Sequence, residues 1–117
     1  MLRRVVATLA IGLSAVTAVN ALSVSSYRDE KNDDMRKLNR AYLAGVRDGL
    51  VAVNQAIASE RKKPYFCLPD DGTLKFERAE EILIQQGNKS RSLEHMPAWA
   101  ILFEGLKDTF PCKDLDK

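Results

Sequence analysis

Few residues in this chain could do covalent or metal chemistry: two cysteines, Cys67 and Cys112, one histidine, His95, and the neighbouring serines Ser90 and Ser92. Nucleophilic catalysis needs a serine or cysteine within reach of a base that a third group orients. His95 stands before Met96-Pro97, a setting in which histidine ordinarily hydrogen-bonds locally at a helix start. One histidine and two cysteines expected to pair leave no ligand set for zinc. Asp70-Asp71 and Glu80-Glu81 are sequence neighbours. Neighbours on a helix diverge by about 100°, so Glu80 and Glu81 are not expected to act together. Gly45-x-x-x-Gly49 lacks the Lys-Ser/Thr of a phosphate loop. No catalytic residue, metal ligand or cofactor is expected, and the chain reads as a binding protein rather than an enzyme.

The cysteines matter as structure, and the start of the chain says why. Arg3 and Arg4 precede an apolar run from Val5 to Val19, and Val19-Asn20-Ala21 offers small-residue cleavage chemistry. That is the layout of a signal peptide over residues 1–21, cleaved near Ala21, and it marks the mature protein for export. An uncleaved anchor is the alternative, but the run is shorter than the roughly 20 residues that span a bilayer. No cysteine lies between the run and Cys67, so lipid attachment there is not expected, and no stable membrane anchoring follows cleavage. In an oxidising compartment two cysteines read as one intramolecular disulfide, with an intermolecular bridge or free thiols as alternatives. The bridge would close a loop of about 45 residues and contribute roughly 4 kcal/mol by chain entropy. The chain carries 18 Lys+Arg against 16 Asp+Glu, a net +2. That excess leaves with Arg3 and Arg4, so the mature domain is near neutral and a nucleic-acid partner has no electrostatic basis.

Three main helices position these residues, in an all-α bundle stapled by the bridge. Residues 22–34, with three serines and a charged run, read as a flexible leader into a domain over 35–117. Helical spacing from about Asp34 to Arg61 puts Leu38, Tyr42, Gly45, Val46, Gly49, Val53, Ala56 and Ile57 on one face. Asp33 or Asp34 caps that helix, and Pro64 stops it. Gly45 and Gly49 on the apolar face imply close approach of another helix, since each costs up to about 1 kcal/mol against alanine otherwise. A connector over 62–72 carries Tyr65-Phe66-Cys67-Leu68-Pro69. A second helix runs from about Leu74 to Gln86, capped by Thr73, with Phe76, Ala79, Ile82 and Leu83 inward and Ile84 half exposed. A third runs from about Met96 to Thr109, with Pro97 in its first turn and Trp99, Leu102, Phe103, Leu106 and Phe110 on its core face. The bridge would then join the start of the second helix to the end of the third, as in an antiparallel hairpin.

Tyr42-x-x-Gly45-x-x-x-Gly49, Phe66-Cys67-Leu68-Pro69, Thr73, Ile82-Leu83, and Ala98 to Leu106 running into Phe110-Pro111-Cys112 together resemble the Rap/Tai family. These are small periplasmic immunity proteins of type VI secretion amidase effectors. The resemblance spans roughly Leu38 to Cys112. It implies an all-helical, exported, disulfide-bonded chain, often a homodimer, whose partner is a peptidoglycan amidase that it blocks by occluding the active site. A periplasmic acid-stress chaperone of the helical single-disulfide kind is the alternative. The presence of one histidine means that an acid switch there would run on carboxylates. The expected partner-binding segment is the polar loop between the second and third helices. Asn88, Lys89, Ser90, Arg91 and Ser92 offer donors and acceptors there, and Leu93 an apolar anchor.

Overall fold

The computed structural model describes residues 21–113. Among these residues four helices follow in order: α1 (Val24–Arg28), α2 (Asp33–Ser59), α3 (Phe76–Gly87) and α4 (Ala98–Thr109), with a single 3-10 turn at Arg91–Leu93. The expected signal segment 1–20 and most of the polar tail lie outside the described residues.

The pair α3 and α4 makes the centre. Arg78 stacks over the Phe110 ring and Ile82 meets Gly105, so contacts advance along one helix as they retreat along the other, and the two run antiparallel. Gly105 allows this approach: a Cβ there would lie 2.6 Å from Ile82 Cγ2. The core takes Ala79, Ile82 and Leu83 from α3 and Ala98, Ile101, Leu102 and Leu106 from α4, with Leu43, Phe66 and Leu74. The face expected of α3 is the one observed, and Ile84 is half-buried. On α4 the buried face is turned toward Ala98 and Ile101. Trp99, expected inside, is 47% exposed.

Cys67 and Cys112 form the disulfide, with Cα atoms 4.9 Å apart. It ties the connector before α3 to the chain just after α4. The Cys67 N–H also donates to Phe110 O at 2.8 Å. The remaining sequence spans closely match the helices, and the shifts have local causes. Asn32, one residue before the expected acids, caps α2 by accepting from the Met35 N–H. Thr73 does not cap α3: its N–H donates to Asp71 Oδ1, the turn runs on, and the helix starts at Phe76.

Two expectations are overturned. Residues 22–34 are not a plain flexible leader. Ser23 caps the five-residue α1, whose Val24 is fully buried and whose Tyr27 joins the core. Three backbone bonds sew this segment to the start of α4: Val24 N–H to Met96 O, Ser25 N–H to Glu94 O, and Ala98 N–H to Leu22 O. Its apolar pair is too short to display a period, and its partners lie some 70 residues away in sequence.

The second correction concerns α2. Gly45 and Gly49 make no close helix contact among the described residues, since a Cβ at either position would meet none of them within 4 Å. The inward face is instead centred on Asn39, Leu43, Val46, Leu50, Asn54 and Ile57. The stripe expected inside stands in solvent over most of its length, with Leu38 62% and Val53 60% exposed. The reason is partly length. The 27 residues of α2 reach about 40 Å, and helices of 12 residues about 18 Å, so α3 and α4 cover one flank only.

Candidate partner-binding surface

His95 is exposed at the mouth of a cleft of about 470 Å³ with Leu22, Ser23, Ser26 and Pro97, and both cysteines are bonded to each other. Glu80 faces Tyr27 and Arg40, while Glu81 faces Arg78 and Gln85, so the two carboxylates diverge as their spacing demands. Among the described residues no group of three or more His, Cys, Asp or Glu side chains is placed to hold a metal. No helix among them is long and apolar enough to cross a membrane.

The loop after α3 is better ordered than its composition implies. Asn88 accepts from Arg28 Nη1 at 2.9 Å. Lys89 pairs with Asp108 at 3.5 Å. Ser90 caps the 3-10 turn by accepting from the Ser92 N–H, and the two hydroxyls bond each other at 2.9 Å. Leu93 packs half-buried against the core, so its side chain braces the loop from inside and is not a free anchor. Glu94 closes the segment, pairing with Arg28. Lys89, Ser90, Arg91 and Ser92 remain exposed on this braced turn. Ordering it beforehand lowers the entropy lost when a partner binds.

A second surface was not singled out by sequence reasoning. Leu50, Val53, Tyr65, Trp99 and Phe103 line an almost wholly carbon-faced cleft of about 260 Å³ between α2 and α4. The Tyr65 ring meets Phe103 edge-on, with centroids 5.3 Å apart. The outward stripe of α2 leads directly into it through Val53. The signal for this surface was present in the residues quoted for the two helices. Their apolar positions exceed what one inward face can bury.

A third feature is a polar cleft of about 280 Å³ between α1, α2 and α3. The Tyr27 hydroxyl donates to Glu80 Oε2, and Arg40 lies 3.8 Å from the same oxygen and 4.7 Å over the Phe76 ring. Burial first, then the hydrogen bond to Glu80 and its charge, push the Tyr27 phenol above its ordinary value, and Arg40 opposes them. This cluster is internally satisfied and locks α1 to α3.

A braced polar turn and an exposed apolar face on a disulfide-bonded helical scaffold define a small protein-binding domain. The chain belongs to the Rap1a immunity proteins, whose family model matches residues 14–112. No curated protein matches the chain, and no solved structure does. Membership makes it an immunity protein directed at a secreted effector, with a protein as its partner.

Proposed function

We propose that this immunity protein acts in the periplasm, where it binds a peptidoglycan amidase delivered by type VI secretion and occludes its active site. Membership of the Rap1a immunity proteins carries the reading, and the signal-like start of the chain supports the compartment. The exposed edge Lys89 to Ser92 is the segment offered to the enzyme's cleft. It projects polar groups from a turn whose ends are held by Arg28 and by the burial of Leu93. The reading includes a second copy of the chain as a further partner.

The reading expects a Cys-His amidase encoded beside this chain's own reading frame. Mature chain added to that enzyme should abolish peptidoglycan hydrolysis at one-to-one stoichiometry. Replacing Lys89 to Ser92 with glycine and serine should leave stability within about 0.5 kcal/mol of the parent while weakening binding at least about tenfold. Full hydrolysis in the presence of unmodified chain overturns the amidase reading. Unchanged affinity of the loop variant moves the contact elsewhere on the surface.

The exposed stripe of α2 favours one other reading, the acid-stress chaperone, because such proteins work through apolar surface. Protection of a client enzyme from aggregation that appears only on acidification would select it.

A further inference from the structure

We infer that the polar cleft between α1, α2 and α3 binds the carboxyl end of a short peptide, with Arg36 holding the carboxylate and Asn39 accepting from a neighbouring N–H. This goes beyond the function proposed above and does not depend on it: the site stands on the cleft alone, whichever effector the chain blocks.

Two polar groups in the cleft are left over. Arg36 lines it, and its guanidinium has neither an ion pair nor a hydrogen bond among the described residues. Asn39 lines it too and is only 7% exposed. Its Nδ2 donates to Ser26 O at 3.5 Å, while its Oδ1 accepts from no described residue. A deeply set amide oxygen is costly unless whatever fills the cleft brings it a donor. Tyr27, Glu80 and Arg40 answer one another, yet with capacity to spare. Tyr27 and Arg40 both address Glu80 Oε2, so Oε1 has no partner among the described residues. Arg40 lies over the Phe76 ring and stands 3.8 Å from Glu80, which leaves most of its five N–H donors unused.

These leftovers define a ligand. Arg36 and Arg40 are one turn apart, about 6 Å along α2, with Asn39 between them on the same side. Like charges at that spacing repel, and an anion seated between them turns the repulsion into two charge-assisted contacts. One negative charge is what the cleft asks for. Glu80 offsets one of the two arginines, and Arg28, also in the wall, is already held by Asp29, Asn88 and Glu94. A phosphate dianion would carry one charge too many and would face Glu80. A carboxylate matches in charge, and its two coplanar oxygens suit the guanidinium fork. Beside the cations wait two acceptors, Asn39 Oδ1 and Glu80 Oε1. A peptide end supplies both halves, a carboxylate and an N–H on the same α-carbon. Ile84 gives the cleft its aliphatic wall, a place for a methyl side chain. At about 280 Å³ the space is at the small end of ligand pockets and suits one or two small residues.

Such ends reach an exported protein from two sources: cell-wall stem peptides, which end in D-alanine, and protein fragments, which end in L-residues. Titration calorimetry of the mature, disulfide-bonded chain with D-Ala-D-Ala and with L-Ala-L-Ala tests the site and tells the sources apart. Saturable one-to-one binding is expected, at least about tenfold weaker for the same dipeptide with its carboxyl end amidated. Tighter D,D binding assigns the wall peptide, tighter L,L binding the protein fragment, and equal binding leaves the shared chemistry standing. Arg36→Gln should weaken binding at least about tenfold with unchanged far-UV circular dichroism, since no described side chain relies on Arg36. Arg36→Lys, which keeps the charge without the fork, should recover part of the loss. Lys37→Gln, outside the cleft, should bind as the parent does. Saturating dipeptide should raise the urea midpoint of the parent and not of Arg36→Gln. No saturable binding of either dipeptide at millimolar concentration overturns the proposal. So does equal binding of the amidated form, an Arg36→Gln variant that binds like the parent, or inorganic phosphate that binds more tightly than both dipeptides.

Discussion

Asn54 and Phe66 are joined in both directions: the Asn54 side-chain amide donates to Phe66 O at 2.8 Å, and its oxygen accepts from the Phe66 N–H at 3.3 Å. The same oxygen also accepts from the Tyr65 N–H at 2.9 Å. A single buried side chain on α2 thus satisfies three backbone groups of the connector, as a paired strand would. It seats the Phe66 ring in the core and sets Cys67 where the disulfide needs it.

Asn54→Ala should therefore cost about 2–4 kcal/mol, because it leaves a carbonyl and two N–H groups without their partner near the core. Asn54→Leu should do no better, since filling the volume does not restore the bonds. Urea unfolding under oxidising conditions reads this directly. A loss below about 1 kcal/mol would mean that water replaces the side chain and that Phe66 is held by packing alone.

The glycines divide into two kinds that substitution can separate. At Gly105 an added Cβ meets Ile82 Cγ2 at 2.6 Å, Gln86 Cβ at 3.2 Å and Ile82 O at 3.4 Å. Gly105→Ala should force α3 and α4 apart and cost about 1–3 kcal/mol. Gly49→Ala, with none of the described residues within 4 Å of the added Cβ, should raise the stability of the monomer by up to about 1 kcal/mol through helix propensity. Urea midpoints at a concentration where the chain is monomeric decide the pair. Equal effects at the two sites would contradict the packing described for α4.

These cases show what the residues disclose by themselves. The extents of α2, α3 and α4 and the pairing of Cys67 with Cys112 follow from apolar period, breakers and cysteine count, which are local or compositional signals. The face of α2 does not. It carries two overlapping stripes, and the buried one contains Asn39 and Asn54, whose amides bond the Ser26 and Phe66 backbones. Hydropathy weighs an asparagine as solvent-seeking and has no knowledge of its distant partner. Gly105 carries no mark in sequence of the role it has at Ile82. The short α1 is illegible for the same reason: what fixes it comes from Glu94, Met96 and Gly87, far along the chain. In the loop after α3, turn chemistry was visible, but the inward turn of Leu93 was not.

Tyr27 gives α1 a signature in pH. Its hydroxyl donates to Glu80, and burial together with that carboxylate raises the phenol above the ordinary tyrosine value. Ionising it would bury a second negative charge beside the first. An unfolded chain ionises tyrosine near pH 10. The folded-state value is higher, so the contribution of Tyr27 is fully present below about pH 10 and is lost as pH rises from there toward the folded value. Tyr27→Phe should cost about 0.5–1.5 kcal/mol at neutral pH, where the hydrogen bond is lost but the ring still packs. Above pH 10 the gap between parent and variant should change, because only the parent must keep this phenol protonated to stay folded. Urea midpoints of both proteins between pH 7 and pH 11, read as a difference, isolate the contribution of this one phenol. Ultraviolet absorbance of the folded parent should also show a late phenol ionisation that is missing in the variant. If the difference stays flat across the window and no late ionisation disappears, Tyr27 is solvated and α1 is not locked to Glu80.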